Sequence, residues 1–316
     1  MNLRILVTAI GSFSAHCVIS NLKKLGHIVI GTDIYPKEWH HITKICDEFI
    51  KVPFATSDNY ILYIKKICEE LSINAIIPLT DLEIDVLRKY KSDFTQLGCH
   101  LFIEPDNVLD IARNKLKLSN TFKDEQFIKV PQFFPAEIYL KDKLIASEDL
   151  IAKPINGRSS EGLYKINKGD NLNFLIGKCN YIIQNYITGS IFTVDYVRDS
   201  FGNDFAVPRE ELLRTKNGAG ITIKITNNID LIKAAKFIGE NLGIIGCVNM
   251  EFIQNNDEYY FIDLNPRFSA GIGFTQYLGY NIVESHLNSF IGKNINPPIK
   301  IEEQILEKLY IEVSNK

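Results

Sequence analysis

The chain lacks most of the features that would set it apart from an ordinary globular protein. Its six cysteines stand at 17, 46, 68, 99, 179 and 247. None are spaced as CxxC and none lie near a His-x-x-x-His pair, which argues against a zinc centre or a disulfide framework. Unpaired thiols of this kind fit a reducing cytoplasm. No apolar run approaches the length of a membrane span. The start, Met1-Asn2-Leu3-Arg4-Ile5-Leu6-Val7, has one positive charge and a short apolar stretch before Thr8 and Gly11. It reads as a first β-strand rather than a signal peptide. The formal net charge is −3, and Lys and Arg stand singly, so no basic footprint for nucleic acid is present. None of the six histidines falls into a Ser-His or Cys-His nucleophile arrangement. Internal repeats and low-complexity segments are missing too. The expectation is a cytoplasmic protein with neither a membrane nor a nucleic-acid partner.

What is present is a folded chain. Hydrophobic residues make up 46% and charged residues 23% of 316, enough for two or three compact units. The first hundred residues alternate strand and helix. Strands are predicted at Ile5–Ala9, His27–Thr32, Ala75–Pro78 and His100–Ile103, and helices at Ala15–Leu25, Asp58–Leu71 and Leu82–Tyr90. This is a parallel sheet with helices on both faces. Glu104-Pro105-Asp106 then breaks the pattern, with Asp106 as a candidate cap for a helix Val108–Phe122. Beyond Pro131 and Pro135 the strands come in pairs: Leu150–Pro154 with Gly162–Ile166, Tyr181–Ile187 with Ile191–Arg198, and Met250–Gln254 with Tyr259–Leu264. This is antiparallel α+β texture, completed by helices Ile229–Leu242 and Asn281–Ile291. The fold class is therefore α/β followed by α+β. The domains are 1–106 and 107–316.

The N-terminal unit imitates a dinucleotide-binding motif: strand, Gly11, helix, strand, Asp33. Phe13 and His16 occupy the positions of the second and third fingerprint glycines. Their bulk blocks the close approach of a pyrophosphate. The unit reads instead as a doubly wound domain without NAD.

Chemistry concentrates later. The runs around Glu251 and Asp263 flank the turn-rich Asn255-Asn256-Asp257-Glu258. Folding this hairpin sets Glu251 opposite or diagonal to Asp263, a like-charge conflict that a bound cation would remove. Asn265 and Arg267 share a face with Asp263 if the strand continues. Hard oxygen ligands suit Mg2+, with Mn2+ as the alternative ion, and an Arg can clamp a phosphoryl group. The bland reading is two unrelated acids on an exposed hairpin. Lys153 ends the strand Ile151-Ala152-Lys153-Pro154, ahead of Asn156-Gly157-Arg158-Ser159-Ser160-Glu161-Gly162. Such a loop can close over phosphates with its N–H groups; an ordinary hairpin turn with an outward Lys is the alternative. Arg209, Arg214 and Lys216 offer charge for a carboxylate or acyl phosphate, or form a solvated strand edge. Asp81 and Glu83 can receive an amine or cap a helix.

Together these pieces resemble the ATP-grasp superfamily, in particular the branch like the carbamoyl-phosphate synthase large subunit, over nearly the whole chain. Ile77-Pro78-Leu79-Thr80-Asp81-Leu82-Glu83 looks like the pre-ATP-grasp loop. The resemblance implies a Rossmann-like domain followed by two lobes that grip ATP, a first lobe 107–186 and a second lobe 187–316. It assigns Lys115 and Lys153 to nucleotide phosphate, and Gly157, Ser159, Ser160 and Gly162 to the phosphate flap. Gln184, Asn185, Tyr186 and Ile187 fall at the adenine hinge. Glu251, Asp263 and Asn265 match the Mg2+ ligands, Arg267 the phosphate Arg, and Arg214 joins it as a catalytic candidate. The implied activity is phosphorylation of a small carboxylate, amino-acid-like in this reading, followed by attack of an amine. ATP, Mg2+, the two small substrates and a homodimer are the implied partners. Ile191 stands where the family has a ribose-binding Glu, Asn114 where it has Asp, and Gln184 where Glu is common. A nucleotide-binding protein without turnover and a simple phosphotransferase are the rival readings.

Overall fold

The structure is a computed structural model and describes residues 2–157, 161–298 and 300–314. Its N-terminal unit is a five-stranded parallel sheet, β1 Arg4–Thr8, β2 Ile28–Asp33, β3 Glu48–Lys51, β4 Ala75–Pro78 and β5 His100–Leu101, in the order β3-β2-β1-β4-β5. Central β1 and β4 are apolar and almost wholly buried, as a sheet covered on both faces requires. Helices α1 Ala15–Lys24, α2 Tyr60–Glu70, α3 Asp81–Leu87 and α4 Lys91–Gln96 supply the cover. One face buries Ile64, Ile67, Leu87 and Phe94 in a core of its own. The other face shares a core with the C-terminal half, where Val18, Ile19 and Leu22 of α1 join Ile282, Val283 and Leu287. The two units are therefore welded through apolar packing.

The single helix expected over 108–122 is two helices, α5 Asp106–Ala112 and α6 Lys115–Phe122. Asn114 leaves helical geometry (φ −128, ψ 100), and its side-chain oxygen accepts the Lys117 N–H at 2.9 Å. An Asn with a local acceptor is a good N-cap and a poor helix interior. Asp106 is not the cap expected; Pro105 precedes the helix and Asp106 is its first residue.

A four-stranded sheet follows, built from β6 Phe133–Pro135, β7 Leu150–Pro154, β8 Tyr164–Ile166 and β9 Tyr181–Asn185 in the order β6-β9-β7-β8, with α7 Ala136–Asp142 packed on it. The second large sheet contains β10 Ser190–Arg198, β11 Asp204–Arg214, β12 Gly220–Ile225, β13 Gly246–Asn255, β14 Glu258–Asn265 and β15 Gln304–Glu307, in the order β14-β13-β10-β11-β12-β15. Its further helices are α8 Ile229–Leu242, α9 Ile272–Tyr277 and α10 Ile282–Phe290. β9 and β10 are thus not the hairpin expected from sequence; they lie in different sheets and residues 186–189 carry the chain across. Gly189 is needed there, because a Cβ would overlap the Gln254 carbonyl oxygen of β13. Among the described residues no helix is long and apolar enough to cross a membrane. All six cysteines are free.

One irregularity sets the phase of β14. The turn at Asn256-Asp257 pairs Asn255 with Glu258 and, in step, Phe252 with Phe261. Continued regularly, that register would set Ile262 opposite Glu251 and turn Asp263 toward Met250 and the core. Instead a bulge shifts the register by one residue, and Asp263 pairs with Glu251. Phe261 and Leu264 stay in the core with Phe252 and Met250.

Candidate active site

The six-stranded sheet has one apolar face, and an opposite face that is polar at one end and, at Val197, Phe205, Val207 and Cys247, joins the core shared with the N-terminal unit. Val194, Tyr196, Met250 and Phe252 pack under α8. On the opposite face, Asp263, Glu251, Thr193 and Arg209 form one cross-strand row, and Asn265, Asn249 and Asp195 the next. The close approach of Glu251 to Asp263 is the one expected from sequence.

Each acid has a protein cation. Lys115, at the first turn of α6, reaches Asp263 at 2.9 Å. Its position is fixed by the Asn114 cap and by its own N–H, which donates to the Ile155 carbonyl at 2.9 Å. Arg214 lies 3.4 Å from Glu251 and is braced by the Gly218 carbonyl at 2.8 Å. Lys153 donates to the carbonyl of the bulge residue Ile262 at 3.4 Å. Burial pulls the Lys153 ammonium down to about 8, and Lys115 lowers it further against the opposing pull of Asp263 and Glu251. Burial alone would raise Asp263, yet Lys115 and Lys153 outweigh it and hold this carboxyl below its ordinary range. Glu251 is raised, first by burial and then by Asp263 and Glu211, with Arg214 opposing. Asp263 thus faces two lysine ammonium groups, Lys115 and Lys153.

Asp263 and Glu251 stand between two cavities. The smaller, of about 130 Å3, is lined by Lys115, Lys153, Gly157, Ile262 and both acids. The larger, of about 650 Å3, opens between the polar sheet face and the N-terminal unit, and includes Arg214, Asn249, Asn265, Arg267 and Ser269. The N-terminal side comes from the loops after β1 and β4, the carboxyl ends of parallel strands where open α/β sheets present their crevices.

Arg267 is engaged by Asp81, through Nε at 3.0 Å and Nη2 at 2.9 Å, and by the Asn265 side-chain oxygen at 3.3 Å. Asp81 is therefore bound to Arg267 rather than held open for an amine. Glu83 accepts from Tyr60 at 3.1 Å and from Thr80 at 2.7 Å, and Thr80 caps α3. This acid serves its own helix start. Arg209 is no solvated edge residue. It is buried, with Asp195 at 2.6 Å, Glu211 at 3.0 Å and Ser269 at 3.3 Å. Lys216 is exposed. At the hinge, Gln184 is buried against Ser119 at 3.4 Å, and Asn185 and Tyr186 spend their N–H groups on the Gln132 and Asp149 carbonyls. Ile187 follows in the crossing segment, and Ile191 lies on the polar face opposite Ile253. Gly162 takes φ +69, where a Cβ would meet the Tyr181 hydroxyl at 2.8 Å. Ser159 and Ser160 lie outside the described residues.

Sequence reasoning missed Asp195, Asn249 and Ser269. The signal for the first was a polar residue at every second position, Thr193 and Asp195, in an otherwise apolar strand.

The residues fit a hard divalent cation. Two carboxylates and an amide oxygen converge on one sheet face, and the buried Thr193 hydroxyl beside Glu251 has no hydrogen-bond partner among the described residues. Among the described residues no group of three or more His, Cys, Asp or Glu side chains gathers to hold a metal. The set thus needs ligands from outside the protein, as Mg2+ sites that share phosphate oxygens do.

This chain belongs to the ATP-grasp family: the family's sequence model, described as an ATP-grasp domain, matches residues 112–271. A second model, described as a PylC-like N-terminal domain, matches residues 5–102. Among curated relatives, the carbamoyl phosphate synthase large chain of Agathobacter rectalis is 25% identical over 174 residues, 48% of this chain and 16% of that protein. Its counterpart from Clostridium perfringens strain SM101 is 29% identical over 125 residues, 36% of this chain and 12% of that protein. The matched region is thus a small part of those relatives' length. Among solved structures, biotin carboxylase from Campylobacter jejuni superposes with a TM-score of 0.79 at 15% identity, over 96% of this chain and 75% of that one. N5-carboxyaminoimidazole synthetase from Staphylococcus aureus, complexed with ADP, gives 0.77 at 15%, over 97% and 82%. At these identities the likeness establishes the fold, two-lobed behind a parallel-sheet domain.

Proposed function

We propose that this protein is an ATP- and Mg2+-dependent ligase that joins a small carboxylate to an amine through an acyl phosphate. The observation that carries the reading is the Glu251–Asp263 pair standing between a lysine-lined cavity and a wider cleft. The smaller cavity suits the nucleotide phosphates, and the wider one the molecules to be joined.

Glu251, Asp263 and Asn265 would hold Mg2+, which supplies charge neutralisation of the phosphates when bound. Lys115 and Lys153 compensate phosphate charge from the other side, with Gly157 on the same cavity wall. Arg214 faces the wider cleft beside Glu251, suited to steady a substrate carboxylate or the acyl phosphate made from it. Arg267 holds Asp81 of the N-terminal unit and the Asn265 amide, so it orders the metal end; its Nη1 also donates to the Phe268 carbonyl at 3.2 Å, which leaves one N–H for the cleft. The carboxylate oxygen attacks the γ-phosphorus, ADP leaves, and the amine then displaces phosphate from the acyl carbon. Such transfers rest on positioning and electrostatics. A cytoplasmic compartment and a homodimer complete the proposal; sedimentation of the purified protein tests the latter.

The test is ADP release screened across amino acids and small carboxylates, with and without an amine. Amine-dependent release is expected, and Asp263→Ala should abolish it with the fold intact. Release without an amine requirement would indicate a phosphotransferase. Ile191 opposite Ile253 favours one other reading, nucleotide binding without turnover, since this face has no acid there for a ribose hydroxyl.

A further inference from the structure

The wall of the wider cleft opposite the acids is formed by the turn between β1 and α1, and that turn is held firmly. Ala9 sits at φ 51, a left-handed conformation rare for a residue with a Cβ. The Ser12 N–H returns to the Ala9 carbonyl at 3.0 Å, and the Gly11 N–H donates to Asp33 at 2.8 Å. A Cβ on Gly11 would lie 2.9 Å from the His40 ring. Local strain that the surroundings over-determine is typical of functional turns.

What this turn presents to the cleft is Phe13, which stays 59% exposed while lining the cavity. Single exposed apolar side chains are common on protein surfaces. This one is backed. The Lys308 ammonium, delivered by the segment after β15, sits over its ring at 5.7 Å from the centroid and donates to the Ala270 carbonyl. Leu79 and Leu82 extend the same wall, and its acid, Asp81, is already bound by Arg267. The wall is thus largely apolar and aromatic, with Ser12, Ser14 and Thr80 as its hydroxyls, whereas the facing sheet is charged.

We propose that Phe13 is a specificity-determining residue: its ring is the platform for an aromatic or broad apolar group on one of the two small substrates. The proposal rests on the ligase reading, which assigns the wider cleft to those substrates. The positions that a dinucleotide-binding loop would keep bare for a pyrophosphate here carry a ring, so the same turn serves a different ligand chemistry.

Ligand-observed saturation-transfer NMR tests it without needing turnover. The probes are L-phenylalanine, phenylacetate and phenethylamine, with glycine, acetate and ethylamine as small counterparts, on full-length protein with a non-hydrolysable ATP analogue and Mg2+. At least one aromatic probe is expected to bind through its ring and to outcompete its small counterpart. Phe13→Ala should weaken it roughly five- to tenfold, Phe13→Trp should retain it, and thermal unfolding should show both variants folded. No binding by any aromatic probe, or equal binding by Phe13→Ala, overturns the proposal. Asp263→Ala separates the two readings: it should lose ADP release yet keep ring contact. Turnover confined to glycine-sized substrates would leave the ligase and remove the platform.

Discussion

At the scale of single residues, Lys153 is the most informative side chain. Its ammonium is half-buried on a cavity wall, beside Lys115, with a backbone carbonyl for a partner, and is pulled down to about 8 from its usual 10.5. Below pH 8 both folded and unfolded chains carry the proton, and the folded state bears the cost of a partly desolvated charge. Between 8 and 10.5 the folded chain gives up the proton first, so stability rises with pH. Lys153→Met is therefore expected to stabilise the nucleotide-free protein at pH 7, by on the order of 1–3 kcal/mol. The gain should shrink as the pH is raised through this window, which thermal denaturation at pH 7 and pH 10 would show. The same variant should lose ATP affinity. A phosphate beside Lys153 favours its charged form, so ATP binding above pH 8 should take up a proton and weaken. Calorimetry in buffers of different ionisation enthalpy measures that uptake; none at pH 9 would remove Lys153 from the phosphate contacts.

At the scale of elements, β14 shows how much was legible in the sequence. The two acids on either side of a turn-rich segment announced their own meeting. The bulge that completes it did not announce itself, although Phe261 and Leu264, both buried three residues apart, break the alternation of a regular strand. Deleting Ile262 should keep the sheet, because alternation then becomes regular with Asp263 still facing Glu251. It removes the carbonyl that Lys153 uses. The expected outcome is a folded protein, by circular dichroism, with weakened ATP binding; a collapsed sheet would contradict the register argument. The helix split at Asn114 was legible only as a residue type that prefers caps. The separation of β9 from β10 was not legible at all, because local pattern cannot say which sheet a strand joins. Likewise the Arg209–Asp195 pair spans separate strands, and only the assembled sheet brings it together.

At the scale of the whole molecule, the shared core under α1 decides how the parts behave. Val18, Ile19 and Leu22 pack with Ile282, Val283 and Leu287, so the N-terminal unit is not a freely hinged attachment. Residues 1–106 expressed alone should expose that face and aggregate or bind a hydrophobic dye. The intact chain should unfold the parallel sheet and the six-stranded sheet in one calorimetric transition. Two well-separated transitions would show the units to be independent. The small sheet is attached differently. Its passage into the large sheet is pinned where Gly189 lies flush against the Gln254 carbonyl. A pinned passage is a fulcrum. β9 stands next to that passage and β8 at the edge beyond β7, so any turning of the small sheet about it would displace β8 more than β9.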